Sequence, residues 1–135
     1  MEPLIPAASI LVISTHIPDT SYALGDIVVI QKNCVNVAHR IIWKTFRNTQ
    51  YHYLLKGDNN GYTDGNYTAA NFLGRVDSIY HVRGIVDLRE SKHRLFKLLF
   101  VVYSVINQLP IVMRISKKIQ TTHMFWRAMH KLLYT

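Results

Sequence analysis

The chain has 135 residues, 49% of them apolar, with 16 Lys and Arg against 8 Asp and Glu and one cysteine. That is long enough for one cored domain and too apolar for wholesale disorder, and a lone Cys34 excludes an internal disulfide framework and a cysteine-rich zinc site. The charge of +8 is uneven: seven Lys/Arg meet six Asp/Glu through Arg83, but nine meet two from Gly84 onward.

Met1 to Pro6 reads as an extended or turn segment, because Pro3 and Pro6 fix their own φ and push their predecessors out of the helical region. No signal peptide opens the chain, since Met1-Glu2-Pro3 has no basic start. Ser9 to Ser14 is β-branched and apolar, a strand. His16 to Ser21 is a loop, and Leu24-Gly25-Asp26 turns the chain into the strand Ile27 to Ile30. Gln31 to Asn36 reads as a turn, followed by the strand Val37 to Trp43, which carries His39-Arg40. After a turn at Arg47 to Thr49, Gln50 to Leu55 is a further strand.

The loop Lys56 to Asp64 is too polar and Gly-rich for a strand or helix interior, and it holds two carboxylates, Asp58 and Asp64. Tyr67 to Phe72 is irregular or one helical turn, and a last strand starts at Leu73-Gly74-Arg75-Val76 and extends as far as Val86. Short strands at spacings of eight to twelve residues predict a mainly β fold, a small antiparallel β-barrel or sandwich, over 1–86.

Residues 87–135 differ. Leu88 to Asn107 lacks turn formers and reads as a largely apolar helix, too short for a confident membrane span of about 20 residues. After Pro110 a second, basic and amphipathic helix is expected, with Ile111, Ile115, Ile119, Trp126, Met129 and Leu133 on one stripe. Basic charge interleaved with apolar surface suits a membrane interface. A phosphate-tracking surface needs no such stripe, so a membrane surface is the expected partner of 88–135 and nucleic acid is not. The alternative is a helical hairpin packed on the β domain with its basic face solvated. The histidines show no metal-ligand spacing, so neither a metal nor a cofactor is expected. Asn66-Tyr67-Thr68 is a glycosylation sequon, a three-residue match frequent by chance.

A histidine on a strand and an aspartate after a turn are two parts of a hydroxyl-activating site. In order along the chain, Met1-Glu2-Pro3-Leu4-Ile5-Pro6-Ala7-Ala8-Ser9, Gly25-Asp26-Ile27-Val28-Val29, His39-Arg40-Ile41-Ile42, Lys56-Gly57-Asp58-Asn59-Asn60 with Asp64, and Leu73-Gly74-Arg75-Val76 resemble five motifs of one family. That family is the type I signal peptidases, in the histidine-using branch of endoplasmic-reticulum, archaeal and small maturation enzymes. The resemblance covers roughly 1–84, and the Lys56–Asp64 loop is its most specific part. It implies a signal-peptidase-type β domain; the C-terminal helical appendage is expected from the residue pattern alone. It implies His39 as general base, Asp64 as its orienting carboxylate, Asp58 as a secondary structural carboxylate, and substrate contacts at Met1, Glu2 and Pro3. The substrate it implies is a polypeptide bearing a leader or signal peptide, bound as an added strand.

The sequence departs from the family at one place. The family's serine precedes the methionine matched by Met1, so the nucleophile falls immediately outside residues 1–135, and Ser9 is not expected to replace it. Two readings therefore stand: a truncated form of an active, membrane-associated serine endopeptidase, or an inactive relative that binds leaders or acts as a scaffold at a membrane. A repressor that cleaves itself is disfavoured, because no helix-turn-helix precedes the β domain.

Overall fold

A computed structural model describes residues 5–58, 60–82, 84–89, 97–102 and 105. Apolar β-branched runs punctuated by tight turns give β1 (Ile10–Ser14), β2 (Ile27–Lys32), β3 (Val35–Arg47), β4 (Gln50–Lys56), β5 (Gly65–Tyr67), β6 (Phe72–His81) and β7 (Gly84–Asp87). All pairings are antiparallel, in the order β1-β6-β2-β3-β4-β5, with β7 also on β6. Residues 97–102 form a short helix, α1, and Val105 is also helical.

The fold is mainly antiparallel β as expected, but in place of a small barrel or sandwich the described strands form one sheet that does not close. Strand β6 pairs with β1 through Arg75–Tyr80, with β2 through Phe72–Arg75 and with β7 through Ser78–His81. Because β1 overlaps both other partners, it takes one edge of β6, and β2 and β7 share the other in succession. The far end of the sheet is the three-residue β5, which pairs with β4 and does not meet β1. A barrel encloses one interior, whereas here β2 feeds two. Ile27 and Val29 join Val76, Ile79, Val86, Leu88 and Phe100 on one face, while Val28 and Ile30 join Tyr22, Ile41, Tyr53 and Leu55 on the other. Each such buried side chain contributes roughly 1.5–3 kcal/mol of transfer free energy before entropy is counted.

Two turns are tighter than their sequences suggest. Asn33-Cys34 and Asn48-Thr49 all have positive φ, from 49° to 66°, the geometry of two-residue hairpins that match strand twist. The turn expected at Gln31 to Asn36 therefore shrinks to two residues, and β2 and β3 run on to Lys32 and from Val35. The single last strand expected as far as Val86 is instead two antiparallel strands, β6 ending at His81 and β7 starting at Gly84.

Two glycines allow close approach. A Cβ on Gly74 would lie 2.6 Å from the Ser14 carbonyl oxygen, where β1 crosses β6. One on Gly25 (φ +84°) would lie 2.6 Å from Lys97 Cβ, so α1 rests directly on the chain entering β2. Lys97 Nζ donates to Asp26 Oδ1 at 2.7 Å, and Phe100 is buried against the sheet. The described part of 87–135 thus packs onto the β domain through Leu88 and Phe100. The predicted second helix, 111–135, lies outside the described residues, as do Met1, Glu2 and Pro3.

Candidate functional site

Side chains alternate along a strand, so the adjacent residues His39 and Arg40 of β3 face opposite sides of the sheet. Each side chain reaches a different aspartate of the loop after β4. That loop is shaped by short backbone links: Asn60 N donates to Gly57 O at 3.0 Å, and Asp64 N to Leu55 O at 2.8 Å. The second link returns the chain to β4 so that β5 can begin at Gly65.

On one side, Arg40 Nε and NH2 donate to the two oxygens of Asp58 at 2.8 and 2.7 Å, and NH1 donates to Gly25 O at 2.8 Å. Both side chains are 1% exposed, and the guanidinium lies 4.6 Å from the centre of the Phe100 ring. Every oxygen of Asp58 is thus committed to a fork that joins the loop, β3 and the entry to β2. This is a structural pair.

On the other side, His39 Nε2 lies 2.9 Å from Asp64 Oδ2. Lys32 Nζ, at the end of β2, lies 2.9 Å from Asp64 Oδ1, and Asn60 Nδ2 is 3.5 Å from Oδ2. The Asp64 carboxylate is 4% exposed. Its burial works to raise the pKa, but the Lys32 ammonium, His39 and the Asn60 amide outweigh it and hold the carboxyl below its ordinary range. Asp64 is therefore an anion at neutral pH.

The other ring nitrogen, His39 Nδ1, is 2.8 Å from the Ala38 carbonyl oxygen. In the Ser-His-Asp arrangement the carboxylate sits on Nδ1 and leaves Nε2 for the hydroxyl. Here the carboxylate sits on Nε2, and Nδ1 faces a main-chain acceptor. A neutral imidazole carries one proton and so satisfies only one of these two acceptors at a time. Among the described residues no serine or threonine hydroxyl bonds to the ring, and Ser9 Oγ donates instead to Pro6 O at 2.8 Å.

Two residues at the site carry no expected role in the sequence. Lys32 falls in a stretch read as turn, and only the two-residue hairpin and the β2–β3 register bring it to Asp64. Lys56 begins the loop motif, yet it is 1% exposed and its Nζ has no hydrogen-bond partner among the described residues. It lies opposite Arg40 in the β3–β4 register and so shares that residue's face. Burial pushes its pKa down; Asp58 and Asp64 pull the other way, and Arg40 adds to the lowering.

No metal-binding cluster occurs among the described residues. An oriented imidazole beside an ionised carboxylate can take a proton from a hydroxyl, and here that hydroxyl has to displace the Ala38 carbonyl from Nδ1. No protein-family model matches this chain, and neither a curated protein nor a solved structure matches it.

Proposed function

We propose that the His39–Asp64 pair is the acid–base half of a serine endopeptidase of signal peptidase type, which removes leader or signal peptides. The observation that carries this reading is the 2.9 Å contact between His39 Nε2 and Asp64 Oδ2, beside a loop resembling that family's. The serine would come from the position immediately before Met1. Its hydroxyl would take the place of the Ala38 carbonyl on Nδ1 and give up its proton there as it attacks the peptide carbonyl. Asp64, on Nε2, would hold the tautomer and stabilise the imidazolium. The edge of β5, next to Asp64, could take an extended substrate as an added strand.

The test is a protein carrying serine directly before Met1, given a leader peptide with small residues ahead of the scissile bond. Mass spectrometry should show one cleavage, slowed roughly 10³-fold or more by His39→Ala and by Asp64→Ala. Cleavage by both variants at the wild-type rate would reject the assignment. The second reading, a leader-binding protein without hydrolysis, is separated by the natural N-terminus: a mature chain with no serine ahead of Met1 supports it.

The same reading places the protein at a membrane surface. Leu98, Leu99, Val102 and Val105 of the helical segment are each about half exposed, and no described helix is long and apolar enough to cross a membrane. Apolar side chains turned outward on a basic segment suit an interface. Sedimentation with vesicles of anionic lipid should carry the protein down, and a protein left wholly in the supernatant at low salt would count against this attachment.

A further inference from the structure

The geometry points to Lys32 as a positioning residue of this site, whose ammonium locks the Asp64 carboxylate in the rotation that presents Oδ2 to His39. This rests on the reading of His39 and Asp64 as the working pair. A carboxylate can turn about its Cβ–Cγ bond, and one hydrogen bond to one oxygen leaves that rotation soft. Here each oxygen has its own principal partner, Lys32 Nζ on Oδ1 and His39 Nε2 on Oδ2, both at 2.9 Å. Asn60 adds only a long contact of 3.5 Å, so Lys32 is the main restraint besides the histidine itself.

The fold also restrains Lys32. It pairs with Val35 across the Asn33-Cys34 turn, and both turn residues hold positive φ (51° and 62°). Neither is glycine, so this backbone is held against a steric cost, most clearly at Cys34. The hairpin therefore fixes where the Lys32 side chain starts, and Asp64 fixes where it ends. Charge-assisted bonds of this kind are among the stronger ones. The Lys32 side chain is 46% exposed while the carboxylate it holds is 4% exposed. A cation reaching in from solvent thus orders a buried group without being part of the core.

The deciding experiment is a set of crystal structures of the 135-residue chain, as wild type, Lys32→Met and Lys32→Arg. The side chain is half exposed, so Lys32→Met keeps the fold. The expected result is that Asp64 turns away from His39 in Lys32→Met, with the contact lengthened beyond hydrogen-bond range, and that Lys32→Arg retains it. In the protein carrying serine before Met1, Lys32→Met should lower kcat roughly 10- to 100-fold, the scale of a misplaced reacting group, with KM nearly unchanged. Lys32→Arg should recover most of that loss.

An unchanged Asp64–His39 contact in Lys32→Met overturns the positioning role, and so does loss of the contact in both variants, since charge would then not be the cause. A wild-type crystal without the His39–Asp64 contact is a different failure, because it removes the working pair itself.

Discussion

Two aspartates six residues apart in one loop meet two adjacent side chains of one strand, and the outcomes differ. Asp58 meets Arg40 in a fork closed to solvent, with each of its oxygens accepting from the guanidinium. Asp64 meets His39 and Lys32, one oxygen to each, and both partners keep some access to water. The first arrangement cannot change state without exposing a buried charge, so it suits architecture. The second leaves an imidazole and a carboxylate in contact at the edge of solvent, with one carboxylate oxygen held from outside by Lys32. A shared loop and alternating strand geometry are enough to produce both.

The comparison breaks most visibly at Arg40. Arg40→Ala leaves Asp58 buried and unpaired, and should cost about 3–5 kcal/mol in denaturant unfolding. His39→Ala at the open site should cost only about 1 kcal/mol, the scale of one ordinary hydrogen bond. Equal costs for the two would erase the distinction drawn between the pairs.

Lys56 sharpens it on the buried side. An ammonium buried there with no hydrogen-bond partner among the described residues is a penalty, so Lys56→Met should raise stability by about 1–3 kcal/mol. The pH dependence follows from its lowered pKa. Between the folded value and the ordinary 10.5, the unfolded chain binds more protons than the folded one, so stability from this residue rises with pH. Urea unfolding at a series of alkaline pH values should show this rise in the wild type and lose it in Lys56→Met.

The smallest effect belongs to Asp64. Its carboxyl is held below the ordinary 3.8, so its stabilising share is present above that value and is lost as pH falls through the folded pKa. Asp64→Asn should remove about 0.5–1 kcal/mol at neutral pH, modest because Lys32 is partly solvated. Thermal melts of the two proteins should converge in acid, once pH has fallen below the folded pKa of Asp64. Curves that stay parallel into acid would mean that the ion pair contributes nothing to the fold.

Much of this was readable along the chain because it depends on neighbours in sequence. The β-branched runs gave strands in the expected order, and Asn48-Thr49 gave its turn. His39, Asp58 and Asp64 stood out by residue type, strand context and loop spacing. Period-2 alternation also requires adjacent His39 and Arg40 to face opposite ways. The misses came where local patterns are ambiguous. The stretch Gln31 to Asn36 looks polar enough for a loop, yet positive φ at two non-glycine residues lets both strands continue through it. The run from Leu73 to Val86 looks continuous, yet it folds back between His81 and Gly84.

The sequence by itself determined the β character of the domain, the identity of the histidine and the two carboxylates, and the basic character of the last third. Only tertiary structure decided that the sheet stays open, because β6 is shared among three strands and β5 ends after three residues. It also decided which aspartate meets which residue, brought Lys32 to Asp64 from 32 positions away, and left Lys56 Nζ without a hydrogen-bond partner among the described residues. Composition and periodicity report which face a residue occupies. Which charge waits on that face depends on strand order and register, and these are settled by contacts distant in sequence.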